Sequence, residues 1–116
     1  MSTVKILRVD VDATTEVLHV QNNLDGLKAA IGGGWLEPIG PTSGGGGWSA
    51  YLDEEGKIKG MRVNATATQL ARLIGWNSAD VLCGPVIFLG PVDANGDETD
   101  VGDDVLGVAQ IQGILP

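Results

Sequence analysis

Two glycine runs inside one stretch, residues 31–61, set the strongest limit on what this chain can fold into. The stretch reads IGGGWLEPIGPTSGGGGWSAYLDEEGKIKGM. Gly32-Gly33-Gly34 predicts a helix stop, because glycine takes a left-handed C-terminal conformation at little steric cost. Residues 40–47 predict a loop with almost no side chains to pack. The chain is thereby cut into short elements: strands and a helix before the stretch, a second helix and a strand after it. Neither side alone carries a full core, so residues 1–116 read as one domain.

Residues 4–11 alternate imperfectly, with Val4, Ile6, Val9 and Val11 apolar and Lys5, Arg8 and Asp10 charged. That pattern predicts a strand with one buried face. Residues 12–15 carry turn chemistry, and residues 16–20 predict a second strand paired with the first. Asn22 or Asn23 can cap a helix that presents Leu24, Leu27 and Ile31 at helical spacing. Gly26 within it weakens the helix by about 1 kcal/mol relative to alanine. Residues 35–39 predict a short strand, which Pro38 assigns to a sheet edge or a strand end. Residues 48–52 predict a strand, with residues 57–63 as its hairpin partner across the acidic turn Asp53-Glu54-Glu55-Gly56.

Asn64 caps a second helix whose apolar face is Ala67, Leu70, Ala71, Leu73 and Ile74. Gly75 stops it, and Trp76 is expected to fold back over its end. Residues 81–89 are almost continuously apolar, interrupted by Gly84-Pro85, and predict the most buried strand, with a bulge or kink at the interruption. Asn95-Gly96 signals a hairpin inside the acidic segment 93–104. Residues 105–111 are apolar and fit a strand or a helix. The fold class is α+β: a mixed or antiparallel sheet of about five or six strands with two short helices packed against it.

Charge narrows the function classes. Lys and Arg number 7 and Asp and Glu 15, so the net charge is 7 − 15 = −8. Such a surface opposes direct binding to nucleic acid, where affinity comes largely from neutralising phosphates. It suits solubility, or an acidic mimic of DNA. No apolar run approaches about 18 residues, so no membrane span is expected. The opening MSTVKILRVDVD lacks the apolar core of a signal peptide. A soluble protein of the cytoplasm is the expectation.

Reactive chemistry is sparsely supplied. Cys83 is the one cysteine and lies in an apolar run, where a thiol stays neutral; His19 is the one histidine and lies in a strand. The first glycine run follows a helix, the wrong electrostatic end for phosphate, and neither run matches a phosphate-binding loop. Asp93-x-Asn95-x-Asp97 with Asp104 resembles part of a calcium loop, but its glycine is at the fourth place instead of the sixth. Glu54 and Glu55 are adjacent in a turn and diverge. No metal, cofactor or enzymatic activity is expected. With one Phe and one Tyr in the chain, Trp35, Trp48 and Trp76 supply most of the aromatic surface. Glycines beside Trp35 and Trp48 suit a recognition rim as well as a core.

Taken in order, Gly33-Gly34-Trp35-Leu36-Glu37-Pro38, then Asp53-Glu54-Glu55-Gly56-Lys57, Asn64 ahead of a helix, and Leu82-Cys83-Gly84-Pro85-Val86 carry a resemblance. The chain resembles the DUF3846 family, small proteins of bacteria, plasmids and bacteriophages. With Asp93-Ala94-Asn95-Gly96-Asp97-Glu98 it is similar to the variants carried by phages of actinobacteria. The resemblance spans roughly residues 4–104. It implies a phage-encoded protein in a host cytoplasm and supplies no mechanism, since neither motif is a catalytic signature. Residues 42–47 look like an expansion of a loop that family members often keep shorter.

The function expected on these grounds is a non-enzymatic accessory protein, without a cofactor, that binds a host macromolecule and modulates or evades a host system. The alternatives are a sponge for a small nucleotide-type ligand, assembled as a homo-oligomer, and an acidic DNA mimic. Candidate binding residues are Trp35, Glu37 and Trp48, with Glu55 and Asn64 beside them.

Overall fold

The structure, a computed structural model, describes residues 2–41 and 47–116. Its elements are β1 (Thr3–Val9), β2 (Thr15–Gln21), α1 (Leu24–Ala30), β3 (Leu36–Ile39), β4 (Ser49–Asp53), α2 (Ala65–Leu73), β5 (Val86–Leu89) and α3 (Asp103–Ile111). The strands form one antiparallel sheet in the order β2-β1-β5-β4-β3. Of the apolar run 81–89 expected to be the most buried strand, only the second half is strand: β5 lies at the centre with all four residues buried, while Cys83 makes an isolated bridge to Val63 and Val81 is exposed. Alternation along β5 feeds two separate cores. Val86 and Phe88 point into a layer with α2 and α3, alongside Leu7, Val9, Trp48, Ala50 and Leu52. Ile87 and Leu89 point the other way, against Leu27, Ala30 and Ile31 at α1. A sheet apolar on both faces needs a helical layer on each, and the short helices supply them.

Three expectations are corrected. Residues 57–63 do not form a strand. Residues 57–60 coil into successive turns, with Lys59 N–H donating to Glu55 C=O (2.9 Å) and Met61 N–H to Gly56 C=O (2.9 Å), and Val63 makes only an isolated bridge to Cys83. The physical reason is that both edges of β4 are already paired, with β3 and with β5. There are three helices among the described residues, because 105–111 resolves as helix. Val105 and Ala109, four apart, are buried on the α2 side, and Asp103 and Asp104 sit in the first turn, where the helix dipole favours acids. The Asn95-Gly96 turn forms, with Gly96 N–H on Asp93 C=O (3.0 Å), but no strands flank it.

Asn23 is the residue that caps α1; its side chain accepts the Gly26 N–H at 2.7 Å. The helix then ends as the first glycine run requires. Gly32, Gly33 and Gly34 all hold positive φ, 88°, 93° and 94°, a succession that other residues resist. Most of the second run lies outside the described residues, as do residues 42–46 of the suspected loop expansion.

Gly26 has a role the sequence did not reveal. A Cβ there would lie 2.2 Å from the Gln21 carbonyl oxygen, which is backbone and unable to swing aside. Helix propensity favours Gly26→Ala by about 1 kcal/mol. We expect the opposite sign, a loss of about 1–3 kcal/mol from overpacking, because α1 must retreat from β2. Urea unfolding of Gly26→Ala checks it; a stabilised variant refutes the close approach.

Candidate functional site

The expected binding residues do not converge. Trp35 is 59% exposed on the α1 side, with Lys28 Nζ 4.2 Å from its ring centroid. Trp48 is only 5% exposed and packs in the opposite core, its ring 5.9 Å from that of Phe88. Its indole N–H donates to Ile74 C=O at 2.7 Å. Trp48 is therefore a core residue and offers no rim to a partner. The correction has a simple cause: Trp48 shares the inward face of its strand with Ala50 and Leu52.

Asn64 is fully buried and is likewise unavailable to a ligand. Its Oδ1 accepts the Ala67 N–H (3.0 Å), capping α2, while its Nδ2 donates to Val9 C=O and Gly84 C=O, both at 2.9 Å. The cap was legible; the brace between β1 and the kink before β5 was not. Glu55 is exposed, and its N–H donates to Asp53 Oδ1 (2.9 Å) in the turn. Glu54 is exposed beside it.

Glu37 is exposed on edge strand β3 and lines a cleft of about 90 Å³ with Lys57, Trp76, Asp80 and Cys83 among its walls. Lys57 and Asp80 pair there. The Lys57 ammonium is the main cause holding the Asp80 carboxyl below its ordinary value, and Val81 N–H adds to it. Beneath lies Asp53, almost wholly buried at the end of β4. Burial pushes its pKa up, but Lys59 Nζ at 2.7 Å and the Glu55 N–H outweigh that and keep it ionised below the usual carboxylate range. Gly34 is obligatory here too, since a Cβ would meet the Asp53 carboxylate at 2.5 Å. The cleft is far smaller than the roughly 300 Å³ at which small-molecule pockets begin.

His19 lies on the outer strand β2, and Cys83 is buried where it bridges Val63, with β1 between β2 and the central strand. They are not brought together. In the acidic segment, Asp93 Oδ1 accepts the N–H groups of Asn95 (2.8 Å) and Asp97 (3.0 Å) and so closes its own turn.

A further apolar opening lies along α2. Val63, Ala65, Thr68, Gln69, Arg72, Leu73 and Val81 line a groove of about 400 Å³ along α2. Leu73 is 47% exposed there, and Val63 and Val81 are also exposed. Leu73 belongs to the expected apolar face, yet at about 100° per residue it stands roughly 60° from Leu70 and roughly 160° from Ala71, at the margin of the stripe that packs on the sheet. That offset was the available signal. The far wall is fixed by two ties to α2. Arg72 donates to Ser78 C=O (3.3 Å) and Asp80 C=O (2.7 Å), and Thr68 Oγ1 accepts the Leu82 N–H (3.0 Å).

A family model described as a domain of unknown function, DUF3846, matches residues 4–113. The chain belongs to the DUF3846 family. No curated protein and no solved structure matches it. The groove, the cleft at Glu37 and both cores of this DUF3846 domain all fall within the matched span. No helix among its described residues is long and apolar enough to cross a membrane.

Proposed function

We propose that this DUF3846 domain is a non-catalytic binding module that holds a protein segment in the α2 groove. The partner offers two or three aliphatic side chains and a net basic charge. The reading is carried by one observation: exposed Val63, Leu73 and Val81 line a wall already braced by Arg72 and Thr68, so little ordering is needed on binding. The net charge of −8 supports a basic partner through long-range attraction. The resemblance to phage-borne variants makes a host protein the natural partner and the host cytoplasm the place of action, with modulation or evasion of a host system as the purpose.

The test is affinity capture from host lysate with the wild-type chain and with Leu73→Asp, followed by mass spectrometry of proteins and small molecules. Leu73 is a surface position, so Leu73→Asp should alter stability by no more than about 0.5 kcal/mol. We expect one basic protein to be retained by the wild type and its affinity to fall at least about tenfold in the variant, some 1.4 kcal/mol. Equal retention by both refutes the groove. Co-purification of a nucleotide alone favours the sponge, and groove-independent binding that collapses with salt favours the DNA mimic.

A further inference from the structure

The two edges of the sheet are unlike. β3 has four residues and contains Pro38, a natural block to further pairing. β2 has seven residues, TEVLHVQ, with no proline, no lysine and an unbroken register against β1. Of the usual devices that keep an edge from accepting another strand, it carries a single charge, Glu16.

The parity of the ladder shows which backbone groups are available. At one end of the β1–β2 pair Asp10 N–H donates to Thr14 C=O (2.8 Å); at the other Asn22 N–H donates to Ser2 C=O (3.1 Å). Antiparallel pairs alternate between hydrogen-bonded and non-hydrogen-bonded, so even-numbered β2 residues face β1. Thr15, Val17 and His19 then turn their N–H and C=O groups outward, whereas the outward Gln21 C=O is already taken by Asn23 N–H (2.9 Å) where α1 begins. Among the described residues, no hydrogen bond from a turn, loop or cap engages those of Val17 or His19.

We propose that β2 pairs antiparallel with β2 of a second copy about a two-fold axis through Leu18, joining two sheets into one. This register sets the free stretch Val17–His19 against itself, and the occupied Gln21 C=O adds no bond to it. Val17 lies opposite His19 of the second copy, Thr15 opposite Gln21, Glu16 opposite Val20, and Leu18 opposite itself. Every outward-facing residue meets an outward-facing residue, so each Val17–His19 pair exchanges both backbone bonds. No like charges oppose one another, because Glu16, the strand's one acid, meets Val20. Val17, 42% exposed in the single chain, gains cover from the partner imidazole. An isologous two-fold contact of this kind closes on itself and stops at a dimer. It is separate from the α2 groove, and neither reading depends on the other.

Sedimentation equilibrium across a concentration series should give a monomer–dimer equilibrium. Val17→Pro removes only an outward N–H, which an edge strand tolerates, and should raise the dimer dissociation constant at least tenfold while the circular dichroism is kept. A second measurement does not rely on proline being accommodated. Leu18 sits on the axis in a non-hydrogen-bonded pair, where Cα atoms are about 4.5 Å apart, within the disulfide range. Leu18→Cys should therefore oxidise to a covalent dimer, with native Cys83 buried and out of the reaction, whereas Val17→Cys, facing His19 of the partner, should not. A wild-type chain that stays monomeric throughout, or a dimer that Leu18→Cys fails to cross-link, overturns the proposal.

Discussion

Asn64→Ala should destabilise the domain by about 3–5 kcal/mol. The cap on α2 accounts for roughly 1 kcal/mol of that, through the lost Oδ1 acceptor for Ala67 N–H. The remainder comes from Nδ2. Its removal leaves Val9 C=O and Gly84 C=O buried without that donor, at about 1–3 kcal/mol each, plus a small cavity where a fully buried side chain stood. Asn64→Asp separates the two parts. It keeps the capping oxygen and the size, but sets a carboxylate oxygen against two carbonyls. We expect Asp to be about as damaging as Ala in urea unfolding at neutral pH. If Asp is nearly neutral while Ala costs about 1 kcal/mol, capping is the whole of the role and the brace is refuted.

The difference between cap and brace marks how far this sequence could be read. Local rules located Asn64 ahead of α2, a cap at Asn22 or Asn23 ahead of α1, the glycine stop at 32–34 and an edge or strand end at Pro38, because each effect acts within a few residues. β5 was legible in part for the same reason: four consecutive apolar residues announce a strand covered on both faces, but the expected strand began at residue 81, five residues before β5 does. What local rules could not supply was pairing. Residues 48–52 and 57–63 satisfy a hairpin pattern, but β4 takes β3 and β5 instead, and the lysine-containing segment is drawn into turns where Lys59 reaches Asp53. Those contacts reach well along the chain, and alternation carries no information about them.

The site follows the same logic. Trp35, which the sequence leaves open between core and rim, is exposed, and so is Glu37, while Asn64 is buried because its polar atoms are spent on backbone groups of β1, α2 and the turn at Gly84. Leu73 and Val81 were hidden by a different error. Each belongs to an apolar pattern, and patterns were assigned to the core as a block. Their exposure depends on where α2 rests on the sheet, which Leu70, Ala67 and Ala71 decide. The edge at β2 could be named as a strand but not as an edge until strand order was known.

Trp48→Ala should be the second severe substitution, and its contrast with Trp35→Ala separates the two tryptophans that flank the glycine loop. Trp48 fills the space between Phe88 and the end of α2, and its indole N–H is bonded to Ile74 C=O, the carbonyl of the helix C-cap. Truncation there should cost about 3–5 kcal/mol. For a domain of this size that lowers the melting temperature by on the order of 15 °C. Trp48→Phe keeps the aromatic contact and loses the hydrogen bond, so it should fall between, at about 1–2 kcal/mol. Trp35 rests against Lys28 on the surface, and Trp35→Ala should cost no more than the roughly 0.5–1 kcal/mol of an exposed cation–π contact. Urea unfolding of the three variants gives the ranking directly. If Trp35→Ala proves as destabilising as Trp48→Ala, the assignment of Trp48 to the core and Trp35 to the surface is reversed, and with it the exclusion of Trp48 from any binding surface.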